Sequence, residues 1–129
     1  VWTAATMEYA RKVANNIFTK EQMEKILFFK TRRDLSYDPN KKIYKPLQKI
    51  FSDPVAVKRN ITKKNTVMID DRLDFMRFNP GNGIVIPAFK RQVRDKYLPK
   101  LLIVLDGIIY YNIDFSNMDN VLVLKDMVD

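Results

Sequence analysis

Asp70 and Asp71 stand side by side directly after the apolar run Thr66-Val67-Met68-Ile69. Adjacent carboxylates repel each other, and a nearby cation relieves that repulsion. In open parallel sheets, ligands sit beyond the carboxyl ends of the strands. Mg²⁺ held by one or two carboxylates plus waters suits such a place. A solvated turn in which Asp71 caps a short helix suits the same two residues equally well, and on spacing alone both readings stay open. Thr3 closes another strand-like stretch, Val1-Trp2-Thr3, ahead of a helix. Its hydroxyl and the N–H groups after it could hold a phosphate oxygen, although an ordinary helix cap is the plainer reading. Lys45 precedes Pro46 at a helix entrance, where an ammonium could neutralise a phosphoryl group; a surface charge is again the plainer reading. Lys58, Arg59, Lys63 and Lys64 could bind a polyanion. No aromatic residues interleave with them, which favours a solvated loop.

Elements must position these groups. The 129 residues suffice for one compact domain, and 47% hydrophobic content can fill its core. The net charge of +8 favours acidic partners such as nucleic acid, anionic lipid or phosphoprotein, or simply a Lys-rich solvated surface. Cysteine and histidine are absent. That excludes disulfides, Cys/His zinc sites, thiol nucleophiles and a histidine general base. Oxygen ligands remain, and they suit hard cations. No apolar run reaches membrane-spanning length, and no basic segment leads into an apolar one as in a signal peptide. No compartment is selected; nucleus and mitochondrion both fit.

Ala10, Val13, Ala14, Ile17 and Phe18 recur at helical spacing, and Thr19 with Glu21 and Gln22 starts a second helix running to Lys25. Ile26-Leu27-Phe28-Phe29 reads as a strand, Asp38-Pro39-Asn40 as a turn, and Pro46 to Phe51 as a short helix. Asp53 to Asn65 reads as an exposed connection. Thr66 to Ile69 and Ile84 to Ile86 read as strands separated by the turn Asn79-Pro80-Gly81-Asn82-Gly83. Lys96 to Asn112 is a helix apolar nearly all round, hence buried or partnered. Asn117 is expected to cap a last helix bearing Val121, Leu122 and Leu124. Strands alternating with helices predict an α/β fold with a largely parallel sheet.

In order along the chain, V-W-T-A-A-T-x-E-Y-A, K-P-L, T-V-M-I-D-D and N-P-G-N-G-I-x-I-P-A-F resemble the FCP/SCP-like (NLI-interacting-factor-like) phosphatases of the haloacid dehalogenase superfamily. The branch that carries a ubiquitin-like domain and acts on the RNA polymerase C-terminal domain looks most similar, through Lys63 to Asp71. The resemblance covers Val1 to Phe18 and Ile43 to Ile109. It implies a Rossmann-like core with a largely parallel sheet flanked by helices, and an Mg²⁺-dependent phosphoserine/phosphothreonine protein phosphatase working through an aspartyl-phosphate. Carried over by motif, Thr3 would bind a phosphoryl oxygen, Lys45 would neutralise the phosphoaspartate, and Asp70 and Asp71 would hold Mg²⁺.

The family's nucleophile sits in D-x-D-x-T at the end of its first strand, and no such motif occurs in these 129 residues. Val1 opens inside an apparent strand, so residues 1–129 are expected to be one partial domain whose first strand lies upstream. By itself the chain is expected to be inactive. An upstream segment or partner chain would complete the sheet, and a phosphorylated protein would be the substrate. The alternative is a catalytically inert binding or structural module, like the mitochondrial presequence-receptor relatives, in a larger assembly that touches RNA through the basic surface.

Overall fold

The computed structural model of the protein describes residues 1–91 and 93–124. Helices α1 (Met7–Ile17) and α2 (Lys20–Lys25) lead into a hairpin of β1 (Ser36–Tyr37) and β2 (Ile43–Tyr44). The short helices α3 (Gln48–Phe51) and α4 (Pro54–Lys58) follow. Next come β3 (Met68–Asp70), β4 (Gly83–Val85), α5 (Tyr97–Tyr110) and β5 (Leu122–Val123). The last three strands form one parallel sheet in the order β3-β4-β5. A mixed α/β fold with a small parallel sheet is what the alternating pattern calls for.

Side chains alternate across this sheet and fill two cores. Met68 packs with Leu47, Ile50 and Met76 on one face, joined by Trp2, Phe28, Val85 and Val121. Ile84 packs with Leu101 and Leu124 on the other, under Val104, Leu105 and Ile108 of α5. A parallel sheet covered on both faces explains why its strands read as short, continuous apolar runs.

Local chemistry sets the element ends. The Thr6 hydroxyl accepts from the Tyr9 N–H at the start of α1, and Thr19 and Gln22 form a capping box at α2. Of the stripe read from the sequence, Ala10 and Ala14 are buried, whereas Val13 and Ile17 stay exposed. Asn82 is 2% exposed, and its amide donates to the carbonyls of Lys63 and Thr66, each at 2.8 Å. Those two bonds tie the Pro80–Asn82 turn to the entrance of β3. A Cβ on Gly81 would run into the Met118 carbonyl, so the turn needs glycine there.

Three expectations are corrected. Ile26 to Phe29 is not a strand; the pairing lies one residue later, as a single parallel bridge between Trp2 and Lys30. Asp53 to Asn65 holds α4 and a 3-10 turn. Asp53 caps α4 through the Val55 N–H, Pro54 takes its first position, and Ala56 is fully buried. No last helix bears Val121 to Leu124. Leu122 and Val123 instead extend the sheet beside β4, and Leu124 enters the core. Helix α5 buries one face only: Leu101 is 7% exposed and Leu102 60%. No helix among the described residues is long and apolar enough to cross a membrane.

Candidate functional site

Asp70 is the last residue of β3, and its carboxylate reaches back over the strand end to Lys45. The Lys45 ammonium donates to Asp70 Oδ2 at 2.5 Å and to the Trp2 carbonyl at 3.1 Å. Both side chains are nearly dry, at 7% and 9% exposure for Lys45 and Asp70. The backbone fixes the lysine too, because its N–H donates to the Phe75 carbonyl at 3.0 Å. Its ammonium also lies 5.0 Å from the centre of the Phe75 ring. Lys45 is therefore not a surface charge. The other Asp70 oxygen accepts from the Arg72 N–H at 3.0 Å.

Lys45 also marks the end of a groove. Thr3 N–H and Val1 C=O are the groups that bond Lys30 across the Trp2 bridge. Backbone groups alternate direction along a strand, so the N–H and C=O of Trp2 point the other way. On that side runs a groove of about 320 Å³, walled by Trp2, Leu47 and Ile50 opposite Val67 to Asp70. Strand β3 pairs with β4 alone among the described residues, so its groove-side edge is open. The Trp2 indole N–H is buried there without a partner. The groove thus lies between the Trp2 bridge and the edge of β3 that pairs with no strand among the described residues.

The other singled-out residues are placed as follows. Thr3 is adjacent to Trp2, and its Oγ1 accepts from the Ala5 N–H at 3.1 Å. The helix cap falls to Thr6, not to Thr3. Asp71 is exposed and, with Asp70, Asp95, Tyr97 and Phe89, borders an open pocket beyond the carboxyl ends of β3 and β4. Asp71 does not cap the following 3-10 turn; Arg72 occupies the cap position without a side-chain bond. Lys63 and Lys64 form the 3-10 turn that leads into β3, at the end of the strand opposite Asp70. They do not adjoin this site.

Two neighbours escaped the sequence reading. Arg72 bonds both carboxylate oxygens of Asp74, at 2.9 and 2.7 Å, and stacks 4.4 Å from the centre of the Phe75 ring. The bonded Arg72 guanidinium holds the Asp74 carboxyl below the usual carboxylate range. Alternating charge in Asp70-Asp71-Arg72-Leu73-Asp74 was the available signal. Phe75 gave none, because its backbone carbonyl and its ring meet Lys45 only through the tertiary fold.

Asp70 and Asp71 supply the hard oxygen donors that Mg²⁺ takes, on consecutive residues at a strand end. Among the described residues, no group of three or more acidic side chains is placed to hold a metal ion.

The ion pair makes a stability prediction. Replacing Lys45 by Met would strand the Asp70 carboxylate in a nearly dry site and should cost about 3 kcal/mol in urea unfolding. The double replacement Lys45→Met/Asp70→Leu should recover most of that loss. A single variant within 0.5 kcal/mol of the parent, a threshold of about the size of a surface change, would show that the pair is not buried in solution.

Comparison with known proteins agrees with the order of motifs. No curated protein and no solved structure matches the chain. The sequence model for NLI interacting factor-like phosphatases matches residues 1–116, which takes in Thr3, Lys45, the Asp70-Asp71 strand end and all of α5. The chain belongs to this family of haloacid-dehalogenase-type phosphatases.

Proposed function

We propose that residues 1–129 are one partial domain of an Mg²⁺-dependent phosphoserine/phosphothreonine protein phosphatase of the RNA polymerase C-terminal-domain type. Its nucleophilic aspartate arrives on a strand seated between Trp2 and β3. One observation carries this reading: the nearly dry Lys45–Asp70 ion pair stands at the end of a groove beside the open edge of β3. A strand in that groove, running parallel to β3, would deliver its last residues beside Lys45. The lysine would then offset negative charge on the aspartyl-phosphate. Thr3, adjacent to Trp2, would present its hydroxyl to a phosphoryl oxygen. Asp70 and Asp71 would hold Mg²⁺, which supplies charge neutralisation on the phosphoryl group. The test is turnover of phosphoserine and phosphothreonine peptides by a protein that contains both the D-x-D-x-T strand and these residues. Turnover should stop on chelation and return with Mg²⁺. Absence of any turnover from that strand-bearing protein would reject the reading.

A second reading is favoured by the same ion pair. Lys45 and Asp70 neutralise each other at 2.5 Å, and an inert binding module asks nothing more of them. With a net charge of +8, such a module would bind RNA with an affinity that falls steeply with salt. Absence of salt-dependent RNA binding together with measurable phosphatase activity excludes it.

A further inference from the structure

Helix α5 carries a second feature, unrelated to the groove. Its inward face packs on Ile84 and Leu124. Its outward face shows Leu98, Leu102, Ile103, Ile109 and Tyr110 at 58% to 81% exposure. At 3.6 residues per turn these side chains form one strip along the helix. A strip of this kind on a water-soluble surface marks an interaction site. In its middle stands Asp106, also exposed. On the flank stands Lys100. Neither makes an ion pair among the described residues.

The spacing of these two charges selects the occupant. Lys100 lies three residues before Ile103 and Asp106 three residues after it. We propose that α5 pairs antiparallel with α5 of a second copy of this chain, about a two-fold axis level with Ile103. At about 1.5 Å per residue, each Lys100 then stands level with an Asp106 across the axis, and two ion pairs form at once. Leu102 and Ile103 meet at the centre, while Leu98 and Ile109 close the two ends. A carboxylate inside an apolar strip disfavours a partner without a matching cation. The chain's own Lys100, at the symmetric position, supplies one. The long lysine stem reaches inward over apolar surface from the flank.

Charge reversal tests the arrangement. Sedimentation velocity of the 129-residue chain should show a dimer. Lys100→Glu and Asp106→Lys should each weaken it at least about tenfold by placing like charges across the axis. The double reversal Lys100→Glu/Asp106→Lys restores opposite pairs and should restore dimerisation. A parent that stays at 15.2 kDa at all concentrations, or a double variant no tighter than the singles, overturns the proposal. Because the chain contains no cysteine, a second readout tolerates other modes of association. Under mild oxidation Leu102→Cys should form a disulfide dimer, and Ile17→Cys, equally exposed on α1, should not. Equal cross-linking of the two variants, as expected if the strip serves a different protein or a lipid surface, also overturns the proposal.

Discussion

Asp70→Asn should abolish Mg²⁺-dependent turnover in a protein that carries the D-x-D-x-T strand together with these residues. The expected loss in kcat is about 10³-fold or more, roughly 4 kcal/mol of transition-state stabilisation. The substitution is nearly isosteric. An asparagine oxygen still accepts from the Arg72 N–H, which now bonds the carboxylate at 3.0 Å. Lys45 keeps the Trp2 carbonyl, 3.1 Å away. What disappears is the negative charge that would bind the cation and that now pairs with the nearly dry Lys45 ammonium, so some stability is lost as well. KM should therefore move far less than kcat, since the lost interaction acts mainly in the transition state. Circular dichroism and urea unfolding of the variant separate lost chemistry from lost fold. Asp74→Asn is the matched control. It also removes a carboxylate from this stretch, but that carboxylate is occupied by Arg72 and half exposed, and kcat should change less than about threefold, as for a surface site. Unchanged turnover in Asp70→Asn would remove Asp70 from the metal site and, with it, the main support for the phosphatase reading.

How much of this site could be read in advance follows from how local each signal is. Asp70 was legible because the three apolar residues before it and the paired carboxylate after it are contiguous. The short helices α2 and α3 were legible for the same reason, through Thr19-x-x-Gln22 and Pro46. The partner of Asp70 was not legible. Lys45 is 25 residues away in sequence, and Trp2 is 43 residues from Lys45; only tertiary folding brings the three together. The motif resemblance selected Lys45, and the structure adds that its charge is already satisfied.

Misread elements fail by a different rule. Val121 to Leu124 holds apolar residues at every position, a run that periodicity alone cannot divide between helix and strand. The parallel partner β4 decides it. Lys96 to Asn112 shows the converse. Its all-round apolarity was read as burial or partnership, and the fold covers the side facing Ile84 and Leu124. Composition reports that such a helix wants partners on every side, and packing reports which side has one. In α4 the Asp53-Pro54 start signal was present but outweighed by the charges around it, so the buried Ala56 was missed.

The groove beside β3 leads to the second large effect. A synthetic peptide of about eight residues, apolar at its centre and ending in D-x-D-x-T, should bind the chain and change its solution behaviour. Without it, the groove-side edge of β3 has no strand partner among the described residues. With it, ladder bonds form on both sides, to the outward N–H of Trp2, whose carbonyl already accepts from Lys45, and to the free edge of Met68–Asp70. At a peptide concentration of roughly 100 Kd the gain is about 2.7 kcal/mol, so the midpoint of thermal unfolding should rise on the order of 10 °C. The carboxylates at the end of the peptide would arrive where Lys45 now contacts Asp70, and opposite charge there strengthens binding. Lys45→Met should therefore weaken the peptide beyond its effect on fold, and changing both peptide aspartates to asparagine should weaken it similarly. A proline at the centre of the peptide removes one ladder donor and should prevent binding. Binding that survives the proline would mean that the peptide coats an apolar surface rather than completing a sheet. A chain that is monomeric, cooperatively folded and indifferent to the peptide would mean that the groove is closed in solution, and the nucleophile would then need another route to Lys45.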